Sequence, residues 1–204
     1  TEIVQTVIAR LHAEGVVPFA GRRTSGDEGI FDDAADAIAA SQEAQRQWAG
    51  SSRETRDRVI DALRTAMHQN AEVFARREVD ETGLGRYDDK VVKVHNAASA
   101  TPGTEDLTTR SWSGDKGLVV EEYAPYGVVA AVTPSTHPIP VLFNSLVIII
   151  ASGNSVVFNV HPAAKNTSAF ALQLFHRVIR ANGGPENLAT MIRVPTIESA
   201  DTLF

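Results

Sequence analysis

Cysteine is absent from the 204-residue sequence. That excludes a disulfide scaffold, a thiolate metal site and a thiol nucleophile within the chain, and leaves the redox compartment open. Basic residues are fewer than acidic ones, 19 against 25, and are scattered, so a net charge of −6 offers no concentrated face for nucleic acid. Small metabolites or proteins are the expected partners. The longest apolar run, Ile139 to Ala151, is broken by Pro140, Asn144 and Ser145 and falls short of the roughly 20 residues that span a bilayer. It is expected as a helix buried in a protein core. The N-terminus lacks a basic stretch followed by an apolar one, which predicts no secretory signal and a cytoplasmic location. His12, His68, His95 and His176 fall on predicted helices without ligand spacing, so no metal is expected. A strand followed by GxGxxG is also missing, and Gly83-Leu-Gly85 ends a helix instead.

What remains is 43% hydrophobic, enough for a full-sized core. Residues 1–14 place Ile3, Val4, Val7, Ile8 and Leu11 on one helical face, and a glycine-rich stretch without periodicity follows over residues 15–30, predicting a short amphipathic helix on a flexible linker. Helices are predicted from Ala34 to Trp48 behind an Asp32-Asp33 cap, after a Ser51-to-Glu54 capping box, over Val73 to Thr82 stopping at Gly83, and from about Asp88 to Ala100. Residues 107–123 alternate polar and apolar around Gly114-Asp-Lys-Gly117, the pattern of a β-hairpin. From Val128 onward, strands (Val128 to Val132, Ser155 to Val160, Ala189 to Val194) alternate with helices (Pro140 to Ser152, Asn166 to Asn182, and a last one to the chain end). This predicts an α/β fold with half of a doubly wound parallel sheet, one edge of which is left uncovered.

Two loops lie just past the C-terminal ends of adjacent strands in this scheme, Thr133 to Pro138 and Asn159 to Lys165, the edge where open α/β sheets take ligands. His137 is placed either to polarise a carbonyl or touch a cofactor, or to remain a solvated loop residue. His161-Pro162 reads equally as a cofactor contact or as a turn that shapes the backbone. Lys165 reads as a surface lysine at a helix start.

Several ordered segments carry a resemblance: Glu81-Thr-Gly-Leu-Gly-Arg-Tyr-Asp-Asp-Lys90, Thr101-Pro-Gly-Thr-Glu-Asp-Leu107, Ala124-Pro-Tyr-Gly-Val-Val-Ala-Ala-Val-Thr-Pro-Ser-Thr-His-Pro138, Ala151-Ser-Gly-Asn-Ser-Val-Val-Phe158, His161-Pro-Ala-Ala-Lys165 and Gly183-Gly-Pro-Glu-Asn-Leu188. Together they resemble the CoA-acylating aldehyde dehydrogenases of bacterial microcompartments, the propionaldehyde and acetaldehyde enzymes, from about Phe31 onward. The resemblance implies oxidation of a short-chain aldehyde with NAD through a cysteine thiohemiacetal, followed by acyl transfer to coenzyme A. It implies that residues 31–204 are the N-terminal part of a cofactor-binding domain. The cysteine and the catalytic domain would lie beyond the point matching Phe204, so the chain alone is expected to be inactive.

By the same resemblance, Thr136 and His137 stand where the superfamily has its oxyanion-side asparagine and the residue after it. Thr133, Pro134, Ser135, Asn159, His161, Pro162 and Ala163 would line a pocket shared between NAD and coenzyme A. The hairpin over residues 107–123 resembles an oligomerisation arm and implies a homo-oligomer. The first helix resembles the encapsulation peptides that carry such enzymes into shells, through Ile3, Val4, Val7, Ile8 and Leu11, implying a shell-protein partner and a location within a microcompartment. The competing expectation is a truncated, non-catalytic cargo or interaction protein that keeps the first half of the fold.

Overall fold

The computed structural model describes residues 27–204, so the helix expected over residues 1–14, with its five apolar positions, and the linker up to residue 26 lie outside the described residues. In chain order the elements are β1 (Ile30–Phe31), α1 (Ala34–Ala49), α2 (Arg53–Gln69), α3 (Ala71–Thr82), α4 (Tyr87–Ala100), β2 (Arg110–Gly114), β3 (Gly117–Glu121), β4 (Val128–Thr133), α5 (Pro138–Ala151), β5 (Ser155–Val160), α6 (Lys165–Ala181), β6 (Ala189–Ile192) and α7 (Ile197–Leu203). β2 and β3 form the expected antiparallel hairpin with Gly114 opposite Gly117. The other four strands form one parallel sheet in the order β1-β6-β5-β4.

β5 is buried along its whole length, and its side chains alternate between two layers. Val156, Phe158 and Val160 join a large core with Leu142, Leu146 and Ile150 of α5, Leu172 and Phe175 of α6, and Leu63, Phe74 and Val94 of α2, α3 and α4. Val157 points the other way, into a smaller cluster with Ala37 and Ala40 of α1, Phe31 and Ile192. The run from Ile139 is thus a core helix, and no helix among the described residues is long and apolar enough to cross a membrane.

Two expectations shift. The sheet edge beyond β6 is not bare: Ile30 pairs with Met191 and Phe31 with Ile192, both β1 side chains being buried. Residues 27–30, assigned above to the linker, are therefore built into the fold. A two-residue strand is too short to show periodicity, which is why the sequence pattern misses it. The two edge strands are β1 and β4, and on β4 Val132 is 58% exposed. The cap of α2 also moves by one residue, to Ser52, whose Oγ accepts the Thr55 amide at 3.2 Å.

Candidate functional site

Register brings the two ligand-side loops together. Thr133 is the Cα partner of Val160, so the chain leaves β4 at Pro134 beside the point where it leaves β5 at His161. Pro134, Thr136, His161, Pro162 and Ala163 are exposed, and Ser135 and His137 are half-buried. Thr133 and Asn159 are buried instead. The amides of Ser135, Thr136 and His137 have no hydrogen-bond partner among the described residues. Three adjacent unspent N–H groups in a loop that opens α5 are donors available to an anion or a developing oxyanion.

Two prolines frame that loop, Pro134 and Pro138, the latter at the first position of α5 behind His137. Thr136 Oγ1 and His137 Nδ1 lie 3.0 Å apart. When the hydroxyl donates to Nδ1 the ring proton sits on Nε2, a free donor; when Nδ1–H donates to the hydroxyl, Nε2 is a free acceptor. The Thr136 carbonyl is held from below by Lys90 Nζ, which donates to it. Lys90 in turn lies 3.0 Å from Glu78 Oε2, with both side chains buried, and Glu78 Oε1 accepts the Ile139 amide at 2.8 Å.

His161 performs a local task. Its Nδ1 accepts the Ala163 amide at 3.1 Å, capping a single 3₁₀ turn over Pro162–Ala164. This is the backbone-shaping alternative, and it leaves the other ring nitrogen, Nε2, without a partner among the described residues. Asn159 is spent on packing: Nδ2 donates to the Thr196 carbonyl at 3.1 Å, and Oδ1 accepts from Ser199 Oγ at 2.8 Å. Contact between this amide and a ligand would require the N-terminal turn of α7 to open. The N-terminus of α6 is likewise filled, by Glu81, which accepts the amides of Asn166 at 2.9 Å and Thr167 at 2.6 Å. An open cleft of about 730 Å³ lies along that seam, lined by Arg76, Arg77, Asp80, Glu81, Tyr87 and Asn166. It adjoins the α6 cap and includes no residue of the loop from Thr133 to Pro138.

Glu78, Glu81 and Lys90 have no assigned role in the sequence reading, yet two of them carried a signal. The buried stripe of α3 is Ala71, Phe74, Ala75 and Glu78, and that of α4 is Lys90, Val94 and Ala98. A carboxylate in one helix's apolar stripe and an ammonium in the next point to a buried pair. No group of three or more histidine, aspartate or glutamate side chains is arranged to hold a metal among the described residues.

The fold is that of one enzyme family. The aldehyde dehydrogenase family model matches residues 13–204, and the chain belongs to that family. Several of its relatives are acylating enzymes. The chain is 44% identical over 181 residues to an acetylating acetaldehyde dehydrogenase of Salmonella typhimurium, covering 89% of this chain and 38% of that protein. A propionaldehyde dehydrogenase from the fucose utilisation bacterial microcompartment of Clostridium phytofermentans superposes with a TM-score of 0.83 at 44% identity, over 85% of this chain and 40% of that one. The Rhodopseudomonas palustris propionaldehyde dehydrogenase, solved with bound CoA and an acylated cysteine, gives a TM-score of 0.84 at 37% identity, over 87% of this chain and 41% of that one. The chain therefore spans less than half the length of these relatives.

Proposed function

We propose that this chain is the N-terminal part of an NAD-dependent, CoA-acylating aldehyde dehydrogenase that converts a short-chain aldehyde to an acyl-CoA. The observation that carries the reading is the loop from Pro134 to Pro138, with three unpartnered amides beside a histidine whose Nε2 is free. In the relatives' chemistry a thiolate adds to the aldehyde carbonyl, and the carbonyl oxygen takes up negative charge. The amides of Ser135 to His137 are donors suited to that oxygen, as is His137 Nε2 in the tautomer whose Nδ1 accepts from the Thr136 hydroxyl. Pro134, Ser135, His161, Pro162 and Ala163 would line the pocket that holds NAD and coenzyme A. When bound, NAD supplies the acceptor for the hydride that leaves the tetrahedral carbon. Thr133 and Asn159 act from behind the pocket wall, through packing.

With no cysteine in the sequence, the 204 residues alone do not carry out this reaction. That same absence favours a second reading of the isolated chain, a non-catalytic cargo or interaction protein. Titration calorimetry with NAD and with coenzyme A separates the two. Binding of either ligand, weakened in His137→Ala or Ala163→Glu, supports the dehydrogenase reading, whereas no binding supports the interaction reading. Within a microcompartment, the N-terminal segment expected as a helix would present Ile3, Val4, Val7, Ile8 and Leu11 to a shell protein. Replacing Val7 and Leu11 with aspartate is expected to abolish co-purification with shells, and unchanged loading would defeat that assignment.

A further inference from the structure

We propose that the buried Glu78–Lys90 pair is a positioning device for the loop from Pro134 to Pro138, gripping it at Thr136 and just past its end at Ile139. The inference rests on the reading of that loop as the oxyanion and cofactor side of the site. α3 ends at Gly83, and the turn through Gly85 leads into α4, where Lys90 is directed back toward Glu78. Gly85 has φ +81°, and a Cβ there would lie 3.1 Å from Lys90 Cε, so the turn is shaped around the lysine stem.

The pair divides its contacts. Lys90 Nζ donates to the carbonyl of Thr136, and Glu78 Oε1 accepts the Ile139 amide. Between these two points stand His137 and Pro138. Peptide units are planar, so holding the Thr136 carbonyl fixes the plane that also carries the His137 amide. Holding the Ile139 amide fixes the first turn of α5. The ammonium and carboxylate lie 3.0 Å apart, each neutralising the charge that would make the other costly to bury. Apolar side chains would fill the same space, but neither would grip a carbonyl or an amide. The ion pair thus orients backbone donors as well as filling the core.

The same helix holds the second loop. Glu81, one turn beyond Glu78, accepts the amides of Asn166 and Thr167, while the Arg77 carbonyl accepts from Thr167 Oγ1 at 3.1 Å. α3 therefore anchors the first turns of the helices that follow β4 and β5, and sets the spacing between the two loops.

The test compares Lys90→Met, Glu78→Gln and the double variant in the 204-residue chain by thermal unfolding, by amide shifts of residues 135–137, and by calorimetric titration with NAD and coenzyme A. Lys90→Met is expected to shift those amides and to weaken binding about tenfold or more, through misplaced donors. The double variant removes the unpaired buried charge and is expected to recover much of the lost thermal stability without recovering binding. Recovery of both, or unchanged binding in a folded single variant, overturns the proposal and leaves the pair a packing element. In the wild-type chain, the Ile139 amide is expected to exchange as slowly as amides in the middle of α5, although first-turn amides ordinarily exchange fast. Fast exchange there would overturn the proposal even if none of the variants folded. A wild-type chain that binds neither ligand defeats the cofactor reading instead, and the clamp is then judged on amide exchange and shifts.

Discussion

Glu81 and Thr167, 86 residues apart in sequence, meet where α6 begins: the Glu81 carboxylate accepts the Thr167 amide at 2.6 Å, and that of Asn166 at 2.9 Å. A side chain from another helix thus does the work usually left to a residue at the cap. It neutralises the positive end of α6 and supplies acceptors for two amides that the helix cannot satisfy. Glu81→Ala is expected to lower the unfolding free energy by about 1–2 kcal/mol, and Glu81→Gln by less, in urea titrations. Because the carboxylate already fills this helix end, phosphate at millimolar concentration is expected to stabilise Glu81→Ala more than the wild type.

Gly29 makes a second point about sequence-distant contact. Its φ is +87°, and a Cβ built there would lie 2.8 Å from the Ala189 carbonyl oxygen and 3.1 Å from His176 Nδ1. Gly29→Ala is expected to cost about 1–3 kcal/mol through backbone strain, with the clash in addition. The damage should be local. The Met191 amide donates to the Gly29 carbonyl and the Arg193 amide to that of Phe31, so hydrogen exchange should accelerate at Met191 and Arg193 before it does in β5.

His176, buried on α6, has its pKa lowered, chiefly because burial disfavours the charged ring. The unfolded chain therefore binds this proton at a higher pH than the folded one does. Stability from this group is complete above the unfolded value, near 6.5, and declines as pH falls from there toward the lower folded value. Urea midpoints measured from pH 7.5 to pH 5 should drop, and His176→Gln should show a shallower decline. An identical slope in the variant would assign the acid sensitivity to other groups.

The parallel half of the fold is legible because each strand is a short apolar run bounded by Gly, Asn or Pro, and each helix shows a stripe. Val156, Phe158 and Val160 against Val157 needed only alternation. The loops past β4 and β5 follow from topology once the strands are known. What escapes is whatever depends on a distant partner. Asn159 looks like a ligand contact from its place at a strand end, and only the fold reveals Thr196 and Ser199 on its two polar atoms. Glu78 and Lys90 are visible as charges within apolar stripes, but sequence does not state that they meet, nor that they reach Thr136 and Ile139. Ile30 and Phe31 form a strand only because β6 presents an edge to them.

The hairpin supplies the last prediction. Trp112 pairs with Val119 across β2 and β3, and on both faces the large side chains lie open, with Trp112 at 53%, Leu118 at 67% and Val119 at 61% exposure. An antiparallel pair with no face on the core is marginal by itself. Exposed apolar side chains of this kind suit burial against a partner. If the hairpin is the oligomerisation arm of the enzyme, Val119→Asp combined with Trp112→Glu is expected to shift sedimentation toward the monomer while leaving the helical circular dichroism and the core melting transition in place. Neither Trp112 nor Val119 belongs to either core cluster, so a loss of folding would contradict the placement of the arm. Unchanged sedimentation of an oligomeric wild type would assign self-association to another surface.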